Sequence, residues 1–280
     1  MPLRTLADIQ AHVHKQQACL ARLTYSQAHP PSFDKQRAGA QGMHKMDQMG
    51  RDILQRNQPI QCLEAVMVAA HLTLKLPVHR LPVGFTTRVR ETGHTHKHIV
   101  LALVCESHQR WGAMGMSRCP DLMDKELVYE SLMALVEEYQ RAYSGNGHEV
   151  ESAYVGLPFS SSASCTLPVV WRALHIQTDL KAHENDTEIT TLSSWKVVLE
   201  KYGQSIEVLL AYRRRHPRST PSSASLYAWL EENKAPLRLR DLLLMQQGQE
   251  GEEGSQGGKG RSRSRREKKR ASLVPSPSGA

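Results

Sequence analysis

The sequence predicts an α+β fold: an N-terminal helical region, then a core helix, a small antiparallel sheet and further helices. Three observations carry this reading. IQCLEAVMVAAHLTLKL (60–76) is apolar around most of a helical circumference, the mark of a helix buried in a core. HIVLALVC (98–105) and WGAMGMS (111–117) are short, apolar and partly β-branched, and the polar turn ESHQR joins them as a hairpin. Finally, 125–143 spaces Val128, Leu132, Leu135, Val136 and Tyr139 for an amphipathic helix, with Asp124 as its N-cap and Gly145 as its stop.

The other elements follow in order. Residues 1–24 read as a helix with Leu6, Ile9, Val13, Leu20 and Leu23 loosely periodic, and 26–42 as a Pro/Gly/Ser-containing loop. A helix over 43–56 follows, and Pro59 marks a boundary. Pro77 and Pro82 bracket what reads as a short connection between the core helix and the hairpin. Residues 144–166 read as an inserted loop, 167–176 as a strand, and HENDTE as a polar loop. Ser193 or Ser194 can cap a long helix from Trp195 to about Arg215, weakened by Gly203. A short helix over 223–234 and a leucine-rich segment close the body. The expected organisation is a helical region over 1–58, a core over 59–245, and a disordered basic tail over 246–280.

The formal charge is +8, and the tail supplies only half of it: eight Lys/Arg stand against four Glu there, leaving +4 on residues 1–245. A basic body suits an acidic partner. The five cysteines (Cys19, Cys62, Cys105, Cys119, Cys165) are odd in number and include no CxxC pair. The N-terminus lacks the apolar core of a signal peptide, and no apolar run is long enough for a bilayer. The expectation is a reduced, cytoplasmic setting with free thiols, no membrane and no cofactor.

Cys62 stands out among the thiols by position. It falls in the first turn of the core helix, where free N–H groups and the helix dipole favour a thiolate. The plain alternative is one more small buried residue. The hairpin supplies a base. A turn centred between Ser107 and His108 places His98 opposite Ser117, about 5 Å apart at Cβ, so the hydroxyl can orient the imidazole. A nucleophile, a base and an orienting group are the elements of thiol catalysis. A one-residue slip in register would move Ser117 to the other face. A zinc reading competes locally, because His94, His96 and His98 alternate along one strand, but no HExxH helix or CxxC pair accompanies them.

PIQCLEAV (59–66), HIVLALV (98–104) and GAMGMSRCPDLM (112–123) resemble, in order and spacing, the three signature segments of the vasohibins. That family consists of tubulin tyrosine carboxypeptidases with a transglutaminase-like cysteine peptidase fold. The resemblance implies removal of the C-terminal tyrosine from α-tubulin at microtubules. It implies Cys62 as nucleophile, His98 as general base and Ser117 as third member of the triad. It implies Arg118, Lys196 and Tyr25 as substrate-binding residues. It also implies a partner, the small helical vasohibin-binding protein, docked on the N-terminal helical region. One position departs from the pattern: vertebrate members carry a lysine before the nucleophile, where Gln61 stands here. A non-catalytic microtubule- or nucleic-acid-binding role is the competing expectation. It rests on RSRSRREKKR (261–270), which lacks interleaved aromatics.

Overall fold

The computed structural model describes residues 5–26, 42–105, 107–165, 169–177 and 193–215. In chain order these form α1 (Leu6–Leu20), α2 (Met43–Arg56), α3 (Cys62–Leu72), β1 (His79–Val89), β2 (Thr95–Cys105) and β3 (Arg110–Met114). A 3-10 turn at Pro120–Leu122 leads to β4 (Lys125–Tyr129), α4 (Leu132–Gly145), β5 (His148–Val155), β6 (Leu174–Gln177) and α5 (Ser193–Arg215). Helices thus combine with one antiparallel sheet of order β4-β3-β2-β1-β5-β6, an α+β architecture.

α3 is the centre of the molecule. Ala65, Val66, Met67, Val68, Ala69 and Ala70 are all fully buried, which the apolar circumference dictates. It packs on α2, on α1 and on the side of β2 that carries Ile99, Leu101, Leu103 and Cys105. α4 lies on the opposite side, where Phe85 of β1 stacks on Tyr139 and Tyr143 at 5.2 and 5.4 Å between centroids. Tyr202 of α5 donates to the Gly156 carbonyl at 2.9 Å. Gly203 is where α5 runs close to α4: a Cβ there would stand 3.4 Å from Leu132 Cβ.

The predicted hairpin has the expected register. Leu101 pairs with Met114 and Cys105 with Arg110, around the turn at Ser107 and His108. The ladder, however, ends at Met114, so β3 is shorter than the predicted strand. Other expectations are corrected. The connection around Pro82 is β1, an eleven-residue strand paired with β2 over its length. Pro82 is tolerated because the β5 ladder begins only at Val83, so its missing N–H breaks no bond on that side. The helix expected over 125–143 is two elements. Lys125–Tyr129 is a strand that buries Leu127 and exposes Val128, and α4 starts after Ser131, whose Oγ accepts from the Ala134 N–H at 3.1 Å. The turn past α4 is made by Gly147 at φ +75, not by Gly145. The inserted loop contains β5, which runs beside β1 in the interior of the sheet; Val150, Ala153 and Val155 are its buried positions. The strand expected over 167–176 is reduced to β6. The expected helix over 223–234, the tail and the boundary near 245 lie outside the described residues. Among the described residues no helix is long and apolar enough to cross a membrane.

Candidate functional site

Cys62 is the first residue of α3, with Gln61 as N-cap in extended conformation. The Glu64 carboxylate accepts from the Gln61 N–H at 2.7 Å and closes a capping box, so the helix start is rigidly held. First-turn N–H groups have no acceptor within their own helix, which leaves a positive electrostatic end at Cys62. Glu64 is itself buried, and its negative charge opposes that field.

Tyr25 is brought to the same place by the backbone. The Ile60 N–H donates to the Thr24 carbonyl at 2.8 Å, and the Ser26 N–H to the Ile60 carbonyl at 2.9 Å, a parallel bridge between Tyr25 and Ile60 two residues before the thiol.

His98 sits on β2 opposite Phe85, and its ring stands edge-on to Tyr143 at 6.5 Å. Its Nε2 is 3.1 Å from the Leu122 carbonyl oxygen. A carbonyl can only accept, so Nε2 carries the proton in that bond and Nδ1 is the basic nitrogen. Burial pushes the His98 pKa down to about 4, and the Leu122 carbonyl offsets only part of this. The imidazole is therefore neutral at physiological pH.

Ser117 is placed differently from expectation. Its Oγ accepts from the Cys119 N–H at 3.2 Å. The reason is the end of β3. At Gly115 the chain leaves the ladder, and its carbonyl is held by Gln17 Nε2 at 2.9 Å. The following 3-10 turn then presents a backbone oxygen, that of Leu122, to the imidazole. An orienting group that is a backbone carbonyl leaves no trace in a residue pattern, which is why sequence reasoning selected the nearest hydroxyl instead.

Two tyrosines were missed. The Tyr143 hydroxyl is buried with no hydrogen-bond partner. Its pKa is raised well above the usual phenol value, first by burial and then by Cys62, Tyr25, Cys119 and Tyr154 around it. Tyr154, on β5, has its ring on Gly84, where a Cβ would fall 1.9 Å from Tyr154 Cζ. Burial raises its pKa too; Arg172 opposes the shift and Cys62 adds to it. Both tyrosines lie in segments whose elements were misjudged, so their convergence on Cys62 was invisible before β5 and α4 were placed.

Arg118 is exposed in the segment after Ser117. Lys196, on α5, forms an ion pair with Glu137 of α4 and lies 5.7 Å from the Trp195 ring centroid. Its charge is thus engaged within the helical layer. Of the histidine triplet, His98 turns to Leu122 while His96 lies 5.5 Å from His148. Among the described residues no three potential ligands gather as a metal site. The depression lined by Ser107, His108, Gln109 and Glu207 flanks the β2–β3 turn, at the opposite end of β2 from His98.

Tyr143 thus stands beside His98 and is electrostatically coupled to Cys62, Tyr25 and Tyr154, and the family resemblance covers the same part of the chain. The vasohibin model aligns with residues 2–196. A mouse protein, tubulinyl-Tyr carboxypeptidase 1, is 32% identical over 125 residues, covering 44% of this chain and 32% of that protein. The chain thus matches about a third of the relative's length. With a family match over more than half of its residues, this chain belongs to the vasohibin family.

Proposed function

We propose that this protein is a cysteine-type carboxypeptidase that removes the C-terminal tyrosine from α-tubulin, acting in the cytoplasm on microtubules. The observation that carries the reading is the His98 imidazole, kept neutral by desolvation and held through Nε2 by the Leu122 carbonyl, in a chain that places a thiol at the start of α3. The name of the mouse relative supports the substrate. The order of cysteine helix and antiparallel strands supports a transglutaminase-like reading of the core.

The chemistry follows from the protonation states. With His98 neutral, Nδ1 takes the Cys62 proton as the sulfur attacks the carbonyl carbon of the last peptide bond. The oxyanion is met by first-turn N–H groups of α3, with the Tyr25 and Tyr143 hydroxyls beside the sulfur as further donors. Protonated His98 gives its proton to the departing tyrosine amine, and its charge is stabilised by the Leu122 carbonyl. Water, deprotonated by the same nitrogen, then cleaves the thioester. Arg118 binds the terminal carboxylate and thereby limits cleavage to the chain end. Ser117 supports this segment through Cys119 rather than through the imidazole. Lys196 steers the acidic tail only when it exchanges Glu137 for substrate. The small helical partner docks on the region of α1 and α2.

The test is incubation of the purified full chain with tyrosinated tubulin, with and without that partner, read by mass spectrometry of the α-tubulin tail. The expected result is loss of one tyrosine and no further residue, and a fall of at least 10³-fold with Cys62→Ala. Tyrosine release that survives Cys62→Ala would refute the mechanism. Microtubule binding without release would favour the non-catalytic reading.

A further inference from the structure

The alternating histidines His94, His96 and His98 do not act as one row in the fold. His98 turns its Nε2 to the Leu122 carbonyl. His94 stands ahead of β2, in a turn where its N–H donates to the Thr92 hydroxyl. His96 instead meets a ring from elsewhere in the chain. His148, the first residue of β5, lies 5.5 Å from it between centroids, with the planes tilted by 52°.

Strand register explains the meeting. β1 runs between β2 and β5, and Thr87 on β1 is directly opposite His96. On the other side of β1, Thr86 pairs with Ser152; past a bulge, Thr87 pairs with Val150 and Val89 with His148. Without that extra residue Val89 would stand opposite Glu149, and His148 would point to the other side of the sheet. The bulge thus turns His148 onto the face that carries Thr87 and His96, one row outward from Phe85 and His98.

Separation, orientation and access suit this pair to a metal ion. With metal–nitrogen bonds of about 2.0–2.1 Å, two imidazoles on one tetrahedral ion hold their ring centres roughly 5–5.6 Å apart. The two rings stand at that separation. His148 Nδ1 is 3.0 Å from the hydroxyl of Thr87, a residue buried in the sheet. An ion on Nε2 selects the tautomer in which Nδ1–H donates to that hydroxyl, the arrangement that orients metal-bound imidazoles. His96 is exposed and His148 half-buried, so an ion reaches both from solvent. Desolvation first, and His96 second, lower the His148 pKa, which keeps a nitrogen lone pair available for a metal.

We propose that His96 and His148 form a binding site for a divalent transition-metal ion of the zinc class, with Thr87 positioning His148 and water completing the coordination shell. Two protein ligands make this a reversible site, since closed structural sites take four. Binding there is independent of the proposed peptidase activity.

The test is isothermal titration of the full chain with Zn2+, joined to NMR of the protein labelled with 15N-histidine, in which metal-bound ring nitrogens shift. The expected result is one site whose Kd rises at least ten-fold in His96→Gln and in His148→Gln, with two ring signals shifting in the native chain. Thr87→Val keeps the shape of the side chain without the hydroxyl and weakens binding by about ten-fold, as loss of an orienting group does. His94→Gln leaves Kd unchanged. Unaltered affinity in His96→Gln or in His148→Gln would overturn the proposal, because the ion would then sit elsewhere. So would an equal loss in His94→Gln, which would assign the ion to the histidines along one strand. Circular dichroism without metal shows whether each variant folds; His96 is exposed, so His96→Gln with the ring shifts decides the matter even if His148→Gln fails to fold.

Discussion

Among the described residues His98 has no carboxylate partner. In a carboxylate-oriented pair the imidazolium is stabilised and the thiol ionises before substrate arrives; here the orienter is the neutral Leu122 carbonyl, and burial disfavours the charged ring. This has a signed pH consequence. The histidine stays neutral until the pH falls to about 4, so the acid limb of kcat/KM lies near 4 and not near 6.5. The stability consequence runs in the same direction. The unfolded chain binds this proton from about pH 6.5 downward and the folded chain only near 4, so folding stability is intact above 6.5 and falls across that window, by about 3 kcal/mol in all. A pH–rate profile on a peptide ending in tyrosine, with denaturant titrations at pH 7 and 4.5 for the native chain and His98→Gln, checks both. An acid limb at 6 or above would contradict the buried neutral base.

At the level of elements, the helix that carries Cys62 is held by how closely α2 approaches α3. Gly50 is what permits it: a Cβ there would fall 2.6 Å from the Met67 carbonyl oxygen and 2.7 Å from His71 Cβ. Beside that contact, Asp47 of α2 accepts from Arg51 at 3.0 Å and from His71 of α3 at 2.7 Å, which fixes the register of the two helices. Gly50→Ala would gain helix propensity but must push the helices apart. The expected net effect is a loss of about 1–3 kcal/mol and a lower turnover, since the start of α3 moves with its body. Urea unfolding of the variant checks it, and unchanged stability would show that the two helices are not in close register. The pattern of residues announced α2 and α3 clearly, because a helix buried all round and an amphipathic one have distinct periods. It misjudged β1, β4 and β5. Pro82 reads as a boundary, Val128 extends the apolar spacing of the following helix, and the glycine-flanked 144–166 reads as a loop; the sheet overrides each of these local signals. Leu127, which stands outside the predicted helical face, is the buried residue of β4.

For the whole molecule, charge sets encounter. Residues 1–245 carry +4 apart from the tail's own +4, and the proposed substrate is a disordered acidic tail. Long-range attraction of this kind is screened within about 8–10 Å at physiological salt. KM for tubulin is expected to rise several-fold between about 50 and 200 mM KCl, with kcat little changed. Steady-state kinetics at the two salts decides this. A fall in kcat with constant KM would place the salt effect in the chemical step instead.

The sequence by itself determined the α+β class, the core helix with Cys62 at its start, the hairpin register and His98 on its strand, because each is written in local periodicity and turn chemistry. Tertiary structure alone decided who orients His98, since that group is the Leu122 backbone carbonyl delivered by a turn after β3. It alone coupled Tyr25, Tyr143 and Tyr154 to one another and to Cys62, because they arrive from an N-terminal bridge, a helix and a strand far apart in the chain, and no spacing along one segment encodes a meeting between three.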